Sequence, residues 1–264
     1  MRERIVIKCG GSMLAHLGET FFQCMKQMVE MYDVIIVHGG GPEIDAMLNK
    51  LSIPIEKKDG LRVTTAEVME VVQMVLCGST NKTLVSKLNE QELGAIGLSG
   101  CDGMLLKVAP LEEEFGFVGE VQYVQTMLLE HLLANRFVPV VAPVGVMDGQ
   151  VYNVNADTAA AAIATAMNAK NLIFITDVDG VIYKEDLLEQ AEEKQLLELI
   201  DNGIITGGMI PKVKAALMSL ELGVKDVVIV NGTQRFLTNK GEWVGTTIKK
   251  GGIYNGTACF SNIQ

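Results

Sequence analysis

Residues 4–11 read RIVIKCGG, in which an apolar run typical of a buried strand ends at Lys8 and opens directly into two glycines. A second apolar run, VIIV at 34–37, leads in the same way into HGGGP at 38–42. Two such strands side by side would bring two glycine loops to one edge of a sheet. Glycine lets backbone N–H groups approach a phosphate closely, and a helix beginning at Pro42 would add its positive end. The pattern predicts an anion-binding cradle.

Composition indicates a compact protein and argues against several classes of partner. The chain has 264 residues, 48% of them hydrophobic and 20% charged, which suits one large core or two lobes. With 22 Lys+Arg against 32 Asp+Glu, the net charge is −10, so we expect no general affinity for nucleic acid or an anionic membrane. Anion binding must therefore rely on local basic sites.

Cysteine usage and the amino terminus bear on the compartment. The cysteines are odd in number and lack CxxC spacing, which argues against a disulfide framework and a zinc site; they are Cys9, Cys24, Cys77, Cys101 and Cys259. The sequence shows neither a signal-like amino terminus nor an uninterrupted apolar stretch near 20 residues. We therefore expect a cytoplasmic protein that is neither exported nor membrane-spanning.

Strand and helix signals alternate along the chain, a pattern typical of the α/β class with a mainly parallel sheet. Helices are predicted near 20–31, 42–51, 65–77, 79–92, 125–135, 157–168, 190–202 and 210–222, and strands near 4–8, 33–38, 95–98, 137–142, 171–176 and 226–230. Turn signals predict hairpins at the sheet edge in 54–63, 104–123 and 144–153. Because no glycine-rich linker divides the chain, we expect one continuous domain, 1–264, with functional halves 1–170 and 171–264.

Several common nucleotide and catalytic signatures are missing. The sequence contains no GxxxxGK[ST], and the GxGxxG pattern fails because Ile44 stands where its last glycine belongs. Hydride transfer on a dinucleotide is therefore disfavoured. The histidines, His16, His38 and His131, lie apart without a nucleophile partner, so a hydrolytic triad has little support. We interpret His38 as a brace for its loop.

The second half adds three charged residues at junctions between elements. Asp157 precedes an alanine-rich helical run, where an N-cap is the simpler interpretation. Asp177 follows the apolar run LIFIT, at the strand end where open α/β sheets bind ligands, although a turn-forming role is the alternative. Lys212 falls in the first turn of a predicted helix, against the preference of the helix dipole. We expect a negative group to compensate it.

Together these features favour phosphoryl transfer. Two lysines, two glycine loops and two acids at such junctions suit a reaction in which positive charge must offset crowded oxygen anions. A carboxylate acceptor would be ionised at neutral pH, since a free Glu titrates near 4.3, and would need no general base. The lack of a suitable histidine agrees with such an acceptor.

Seven motifs, in this order along nearly the whole chain, resemble the amino acid kinase family, and within it the acetylglutamate kinases. They are KCGG at 8–11, VHGGG at 37–41, GLRVT at 60–64, NKTL at 81–84, NVNAD at 153–157, DVDG at 177–180 and GGMIPK at 207–212. The resemblance implies an open αβα sandwich whose amino-terminal half binds N-acetyl-L-glutamate and whose carboxyl-terminal half binds ATP with magnesium. It also implies the product N-acetyl-L-glutamyl 5-phosphate, formed in the second step of arginine biosynthesis.

The resemblance further implies roles for individual residues. The catalytic residues would be Lys8 and Lys212 on the transferring phosphoryl group, with Asp157 orienting both lysines and Asp177 helping to position them. Substrate would be bound by Gly10, Gly11, Gly40, Gly41, Arg62 and Asn153. Nucleotide contacts would come from turns 176–182 and 203–210, chiefly Thr176, Asp177, Val178, Gly180, Val181, Ile182, Ile204, Ile205, Thr206, Gly207 and Met209. Magnesium would be held by phosphate oxygens and waters, without a protein metal site.

The residues alone, without the resemblance, give a different interpretation of Arg62 and assign no catalytic role to Asn81 and Lys82. Without the resemblance, Arg62 reads as a solvated surface charge in a hairpin. Asn81 and Lys82 invite a catalytic interpretation, but an Asn beside a basic residue more often caps or decorates a helix, so we interpret both as structural.

Alternatives remain for the acceptor and for the class of protein. Relatives in the family phosphorylate other acids, such as N-acetyl-aminoadipate, and a non-catalytic nucleotide or amino-acid sensor could share the fold. A sensor, however, would not need both Lys8 and Lys212. Arginine-inhibited members of the family resemble hexamers with an additional helix before the first strand, whereas here the first strand starts at Arg4. We therefore expect a homodimer that is insensitive to arginine.

Overall fold

A computed structural model describes residues 2–250 of the chain. Its strands are β1 (Arg4–Cys9), β2 (Asp33–His38), β3 (Lys57–Lys58), β4 (Leu61–Arg62), β5 (Ala95–Ser99), β6 (Leu106–Pro110), β7 (Gly119–Val124), β8 (Val138–Ala142), β9 (Val144–Met147), β10 (Gln150–Asn153), β11 (Asn171–Thr176), β12 (Ile182–Tyr183), β13 (Asp186–Leu187), β14 (Gln190–Glu192), β15 (Asp226–Asn231) and β16 (Gly245–Lys249). Its helices are α1 (Gly11–Leu14), α2 (Glu19–Met31), α3 (Gly41–Lys50), α4 (Ala66–Gln73), α5 (Asn81–Glu90), α6 (Met127–Ala134), α7 (Ala156–Ala166), α8 (Glu193–Asp201) and α9 (Met209–Glu221). Residues 251–264, which end the second predicted half and include Cys259, lie outside the described residues.

The central sheet has eight strands in the order β14-β16-β15-β11-β1-β2-β8-β5. Every neighbouring pair is parallel except β15 and β16, which are antiparallel. This mainly parallel sheet confirms the predicted α/β class. Strand β1 pairs with β11, so the two predicted halves share one sheet.

Helices cover both faces of the sheet because its strands are apolar on both sides. Along β1, Ile5 and Ile7 pack in a core with Phe21 and Met25 of α2, whereas Val6 packs on the opposite face with Ala160 of α7. All of these side chains are essentially inaccessible to solvent. Such uninterrupted burial is typical of parallel strands covered on both faces. The predicted αβα sandwich is confirmed.

The structure departs from the predicted elements at several places, including the short helix α1 and the hairpin β12–β13, which were not predicted. Helices α4 and α5 join through a π-helical turn at Met74–Thr80, where two separate helices were expected. The helix expected at 190–202 begins only at Glu193, because Gln190–Glu192 pair with β16 as β14. Strand β16 was not predicted at all, since GTTIK has a single strongly apolar residue and becomes a strand by pairing with β15.

The hairpins expected from turn signals are present in the structure. Strands β10, β9, β6 and β7 form a second sheet, and β3 and β4 form a separate two-stranded hairpin. Isolated bridges join Thr64 to Gly116 and Val118 to Asn153, which brings the end of β10 beside the segment after β4. Among residues 2–250, no helix is both long and apolar enough to cross a membrane.

Sheet order places the loops that carry the motifs side by side. Strands β11, β1 and β2 are adjacent and parallel, so the segments after Thr176, Cys9 and His38 leave the same edge. Ligands of open α/β sheets bind at this carboxyl edge. The fold therefore concentrates the predicted site residues at one end of the sheet.

Candidate active site

The two glycine loops pack directly against each other. The Gly39 N–H donates to Cys9 O at 2.8 Å, which ties the loop after β2 to the end of β1. A Cβ on Gly11 would lie 2.9 Å from Pro42 Cδ and 3.0 Å from the backbone nitrogen of Gly40. Real Cβ atoms rarely come so close to backbone, so glycine is required here by close approach. The two glycine loops of the predicted cradle therefore interlock, and anion binding by them stays a prediction.

Lys8 forms an ion pair with a carboxylate at the start of α7. Its Nζ lies 2.9 Å from Asp157 Oδ1, and both side chains are mostly buried. The N-cap of α7 is Asn155, whose Oδ1 accepts from the backbone N–H of Asp157 at 2.8 Å. The capping interpretation of Asp157 was therefore wrong, because Asn155 caps the helix and leaves the Asp157 carboxylate free to meet Lys8.

Lys212 has its own acid, which meets the expectation of a compensating negative group. Its Nζ lies 3.0 Å from Oδ1 of Asp177, and Asp177 is the residue directly after β11. The hydrogen bond from Lys212 lowers the pKa of Asp177 below its ordinary value. The first turn of α9 contains no acidic residue, so the compensation comes from a separate element.

Both ion pairs line one cleft of about 230 Å³, together with Gly10 and Thr176. The structure thus brings together the four residues expected to be catalytic. The ion pairs divide them differently from the expectation, because Asp157 pairs with Lys8 and Asp177 pairs with Lys212. Neither acid forms an ion pair with both lysines.

A second cleft, of about 420 Å³, adjoins the first at Lys8 and Asp157. It contains all of the residues expected to bind the acceptor, which are Gly10, Gly11, Gly40, Gly41, Arg62 and Asn153. Asn153 donates from Nδ2 to the buried hydroxyl of Thr64 at 3.2 Å. We refer to this cavity as the acceptor cleft.

Arg62 is buried, so the solvated-surface interpretation was wrong. Only 8% of the residue is exposed, and its Nη2 lies 2.5 Å from Asp45 Oδ1 and 3.3 Å from Gly41 O. Its Nη1 is buried without a hydrogen-bond partner in the described structure. A buried guanidinium nitrogen left unpaired is costly, so this atom is suited to an anionic ligand in the cleft.

A third cavity, of about 450 Å³, shares Asp177 with the cleft that contains both lysines. Of the expected nucleotide residues, those that line it are Asp177, Val178, Gly180, Val181, Ile182, Ile204, Ile205, Thr206 and Met209. Thr176 lines the cleft between the lysines instead, and Gly207 is not part of the lining of any of the three cavities.

Comparison with known proteins identifies the family of this chain. The sequence model described as the amino acid kinase family matches residues 3–231. The chain belongs to the amino acid kinase family. It is 59% identical to an acetylglutamate kinase of Bacillus cereus (strain ATCC 10987 / NRS 248) over 251 residues, which cover 95% of this chain and 98% of that protein.

The solved structures similar to this amino acid kinase include the following two. Smu.665 from Streptococcus mutans UA159 is 32% identical with a TM-score of 0.81, covering 94% of this chain and 99% of that one. A carbamate kinase from Giardia lamblia bound to AMP-PNP is 16% identical with a TM-score of 0.68, covering 95% and 99%. The second likeness, at so low an identity, concerns the fold alone.

Two residues of the third cavity of this amino acid kinase were not expected from the sequence. Asn231 is the last residue of β15 and Gln234 follows this strand, which neighbours β11 in the sheet. Asn231 donates from Nδ2 to Asp179 Oδ1 at 2.7 Å and so links the end of β15 to the turn after β11. The signal was available as NGTQ directly after the apolar run 226–230, but its adjacency to β11 depends on strand order.

Buried polar groups brace the loop after β2. His38 is fully buried; its Nδ1 lies 2.9 Å from Gly39 O, and its Nε2 lies 3.1 Å from Asn81 Nδ2. Asn81 also donates to Val140 O at 2.9 Å. Burial above all lowers the pKa of His38, to about 4, so the ring is neutral at pH 7. These contacts support a structural role for His38 and Asn81.

Proposed function

We propose that this amino acid kinase transfers the γ-phosphoryl group of ATP to the side-chain carboxylate of N-acetyl-L-glutamate. The product is N-acetyl-L-glutamyl 5-phosphate, and the reaction is the second step of arginine biosynthesis. The acceptor is favoured because curated relatives that match 95% of this chain at 56–59% identity are named acetylglutamate kinase. No feature of the described site favours a longer acceptor or a non-catalytic sensor.

The observation that carries the proposal is the placement of Lys8 and Lys212 in one cleft between the acceptor cleft and the third cavity. Phosphoryl transfer spreads negative charge over oxygens that must approach one another. Two ammonium groups lining that cleft would offset this charge, most strongly in the transition state. Their acids, Asp157 and Asp177, hold each ammonium in place before substrate arrives.

In the acceptor cleft, Arg62 and Asn153 bind the α-carboxylate end of N-acetylglutamate. The unpaired Nη1 of Arg62 supports this role, because a carboxylate there would satisfy a buried donor. The glycine loops at Gly10–Gly11 and Gly40–Gly41 then offer backbone N–H groups to the side-chain carboxylate and the incoming phosphoryl group. That carboxylate is ionised at neutral pH and attacks without a general base.

The third cavity binds ATP. Its apolar side chains, such as Ile182 and Ile204, are about half exposed, which suits them to cover an adenine ring. Magnesium supplies positive charge to the phosphates when bound. Among residues 2–250, no group of three or more His, Cys, Asp or Glu could hold a metal, and both acids of the cleft already pair with lysines. In this proposal the ion would be held mainly by phosphate oxygens and waters.

We also propose a cytoplasmic homodimer that is insensitive to arginine. The four cysteines within the described residues are free, which favours a reducing compartment. The homodimer follows from the family resemblance, and a solution mass near twice the 28.6 kDa chain mass is the expected result. Arginine insensitivity is a prediction that a thermal-shift titration tests, because a ligand that binds the native state raises its melting temperature.

The decisive experiment incubates purified protein with MgATP and separate acceptor acids and traps acyl phosphate with hydroxylamine. Hydroxamate should form with N-acetyl-L-glutamate, in amounts equal to the ADP released, and at far lower rates with glutamate, aspartate and N-acetyl-aminoadipate. ADP release without hydroxamate, or a clear preference for another acid, would overturn the proposal.

A further inference from the structure

A single carboxylate, Asp45 of α3, joins the helix to both strands of the hairpin β3–β4. Its Oδ1 lies 2.5 Å from Arg62 Nη2, and its Oδ2 accepts from Lys57 Nζ at 2.8 Å. Lys57 and Arg62 are directly opposite each other in the hairpin. Asp45 therefore fixes the hairpin, and the guanidinium it carries, against α3.

We call the contacts of Asp45 with Lys57 and Arg62 the clamp. The ionisation of Asp45 suits it to this role. Partial burial by itself raises its pKa, but the hydrogen bond from Lys57 and the contact with Arg62 outweigh that effect and lower the pKa overall. The carboxylate is thus ionised across the neutral range. Charge-assisted contacts of this kind are the stronger hydrogen bonds of proteins and hold a planar guanidinium in one orientation.

The clamp occupies one side of Arg62 and leaves the other available. Nη2 contacts Asp45 Oδ1 and donates a hydrogen bond to Gly41 O, whereas Nη1 is buried without a hydrogen-bond partner in residues 2–250. A free arginine side chain would lose rotamer entropy on binding substrate, but this one is held before binding. The prearranged nitrogen can therefore bind an anion at a lower entropic cost.

We infer that Asp45 is a positioning residue that sets both the affinity for the acceptor and the selection of its chain length. The inference rests on the proposed function, in which Arg62 binds the α-carboxylate. The other end of the acceptor meets the loop at Gly40–Gly41, which leads directly into α3. Asp45 sits on that same helix, so it fixes the separation between the groups that bind the two carboxylates.

The test compares Asp45→Asn, which keeps the shape and removes the charge, with Asp45→Ala. Loss of a charged partner is expected to raise KM for N-acetyl-L-glutamate by roughly tenfold or more. KM for ATP should change by less than about twofold, because the third cavity contains no part of the clamp. The preference for N-acetyl-L-glutamate over N-acetyl-L-aspartate and N-acetyl-L-2-aminoadipate should also decrease.

A matched control removes a neighbouring ion pair on the same hairpin. Lys58 Nζ lies 2.6 Å from Glu114 Oε2, at an exposed site that does not touch Arg62. Glu114→Gln should leave both KM values and the acceptor preference unchanged. A loss of acceptor affinity in this control equal to that in Asp45→Asn would overturn the inference, because general loosening of the hairpin would then explain both.

A double-mutant cycle separates positioning from a structural role. If Asp45 acts through Arg62, then Asp45→Asn should raise KM for N-acetyl-L-glutamate much less in an Arg62→Lys background than in the wild type. Independent effects of the two substitutions would overturn the inference, as would an unchanged KM in Asp45→Asn. A wild type that forms no hydroxamate from N-acetyl-L-glutamate would instead overturn the proposed function, and this inference with it.

Discussion

Lys8 Nζ lies 2.9 Å from Asp157 Oδ1 across the junction between β1 and α7, although 149 positions separate the two residues. The lysine follows the apolar core of a central strand, where an unpaired charge would be costly. The carboxylate is available because Asn155 caps α7 in its place. The relationship explains how the fold tolerates a lysine in this position and holds it ready for an anion.

We expect Lys8→Ala and Lys212→Ala each to lower kcat by roughly a hundredfold or more, because each removes charge that is needed mainly in the transition state. Steady-state kinetics with MgATP and N-acetyl-L-glutamate measure the effect. Lys214→Ala is the control, since Lys214 is an exposed lysine of the same helix and does not line the cleft. Near-normal turnover in both cleft variants would contradict the mechanism.

Asp157 and Asn155 should differ in their effect on turnover although they lie two residues apart. Asp157→Asn is expected to lower kcat strongly, because it leaves Lys8 without its carboxylate, and to lower the melting temperature as well, because the mostly buried ammonium is then unpaired. Asn155→Ala removes the cap and should reduce the free energy of unfolding by about 1 kcal/mol. Asn155→Ala should leave kcat close to the wild-type value. Kinetics and thermal unfolding of both variants provide the comparison, and equal losses of kcat would contradict this division of roles.

Arg62→Lys is expected to raise KM for N-acetyl-L-glutamate far more than KM for ATP. A lysine keeps the charge but cannot contact Asp45 and a substrate carboxylate through one planar group. Asn153→Ala should show the same bias more weakly, since Asn153 lines the acceptor cleft beside Thr64. Equal effects of Arg62→Lys on both KM values would remove Arg62 from acceptor binding.

The sequence was sufficient to predict the parallel sheet and its motif-bearing loops because each of those features is local. The apolar runs ending at Lys8, His38 and Thr176 have the length and composition of buried strands, and the residues after them carry the chemistry. Strand β16 could not be predicted in the same way, because its five residues form a strand through their pairing with β15 and β14.

The same distinction between local and long-range information applies to the candidate site. Lys8, Asp177 and Lys212 stand at junctions that are visible in the sequence, and the structure brings them into one cleft. Which acid holds which lysine depends on the packing of α7 and α9 over the sheet. The burial of Arg62 likewise depends on Asp45, a partner 17 positions away that no local pattern identifies.

Stability should fall as the solution is acidified, through His38. Its pKa is about 4 in the folded protein, against an ordinary value near 6.5, because burial disfavours the charged ring. Between these values the unfolded chain binds the proton and the folded chain does not, so the free energy of unfolding decreases as pH falls from about 6.5 to about 4. A shift of this size corresponds to on the order of 3 kcal/mol, and the contribution is constant above the window.

Chemical denaturation at a series of pH values measures this dependence. His38→Gln should unfold with a shallower decline between about pH 6.5 and pH 4, because no buried imidazole is left to take up a proton. His131→Gln is the matched control, since His131 is exposed on α6 and should leave the slope unchanged. If His38→Gln and the wild type lose stability equally across this window, the buried ring is not the source of the acid sensitivity, and His38 would not be the neutral brace that its contacts with Gly39 and Asn81 indicate.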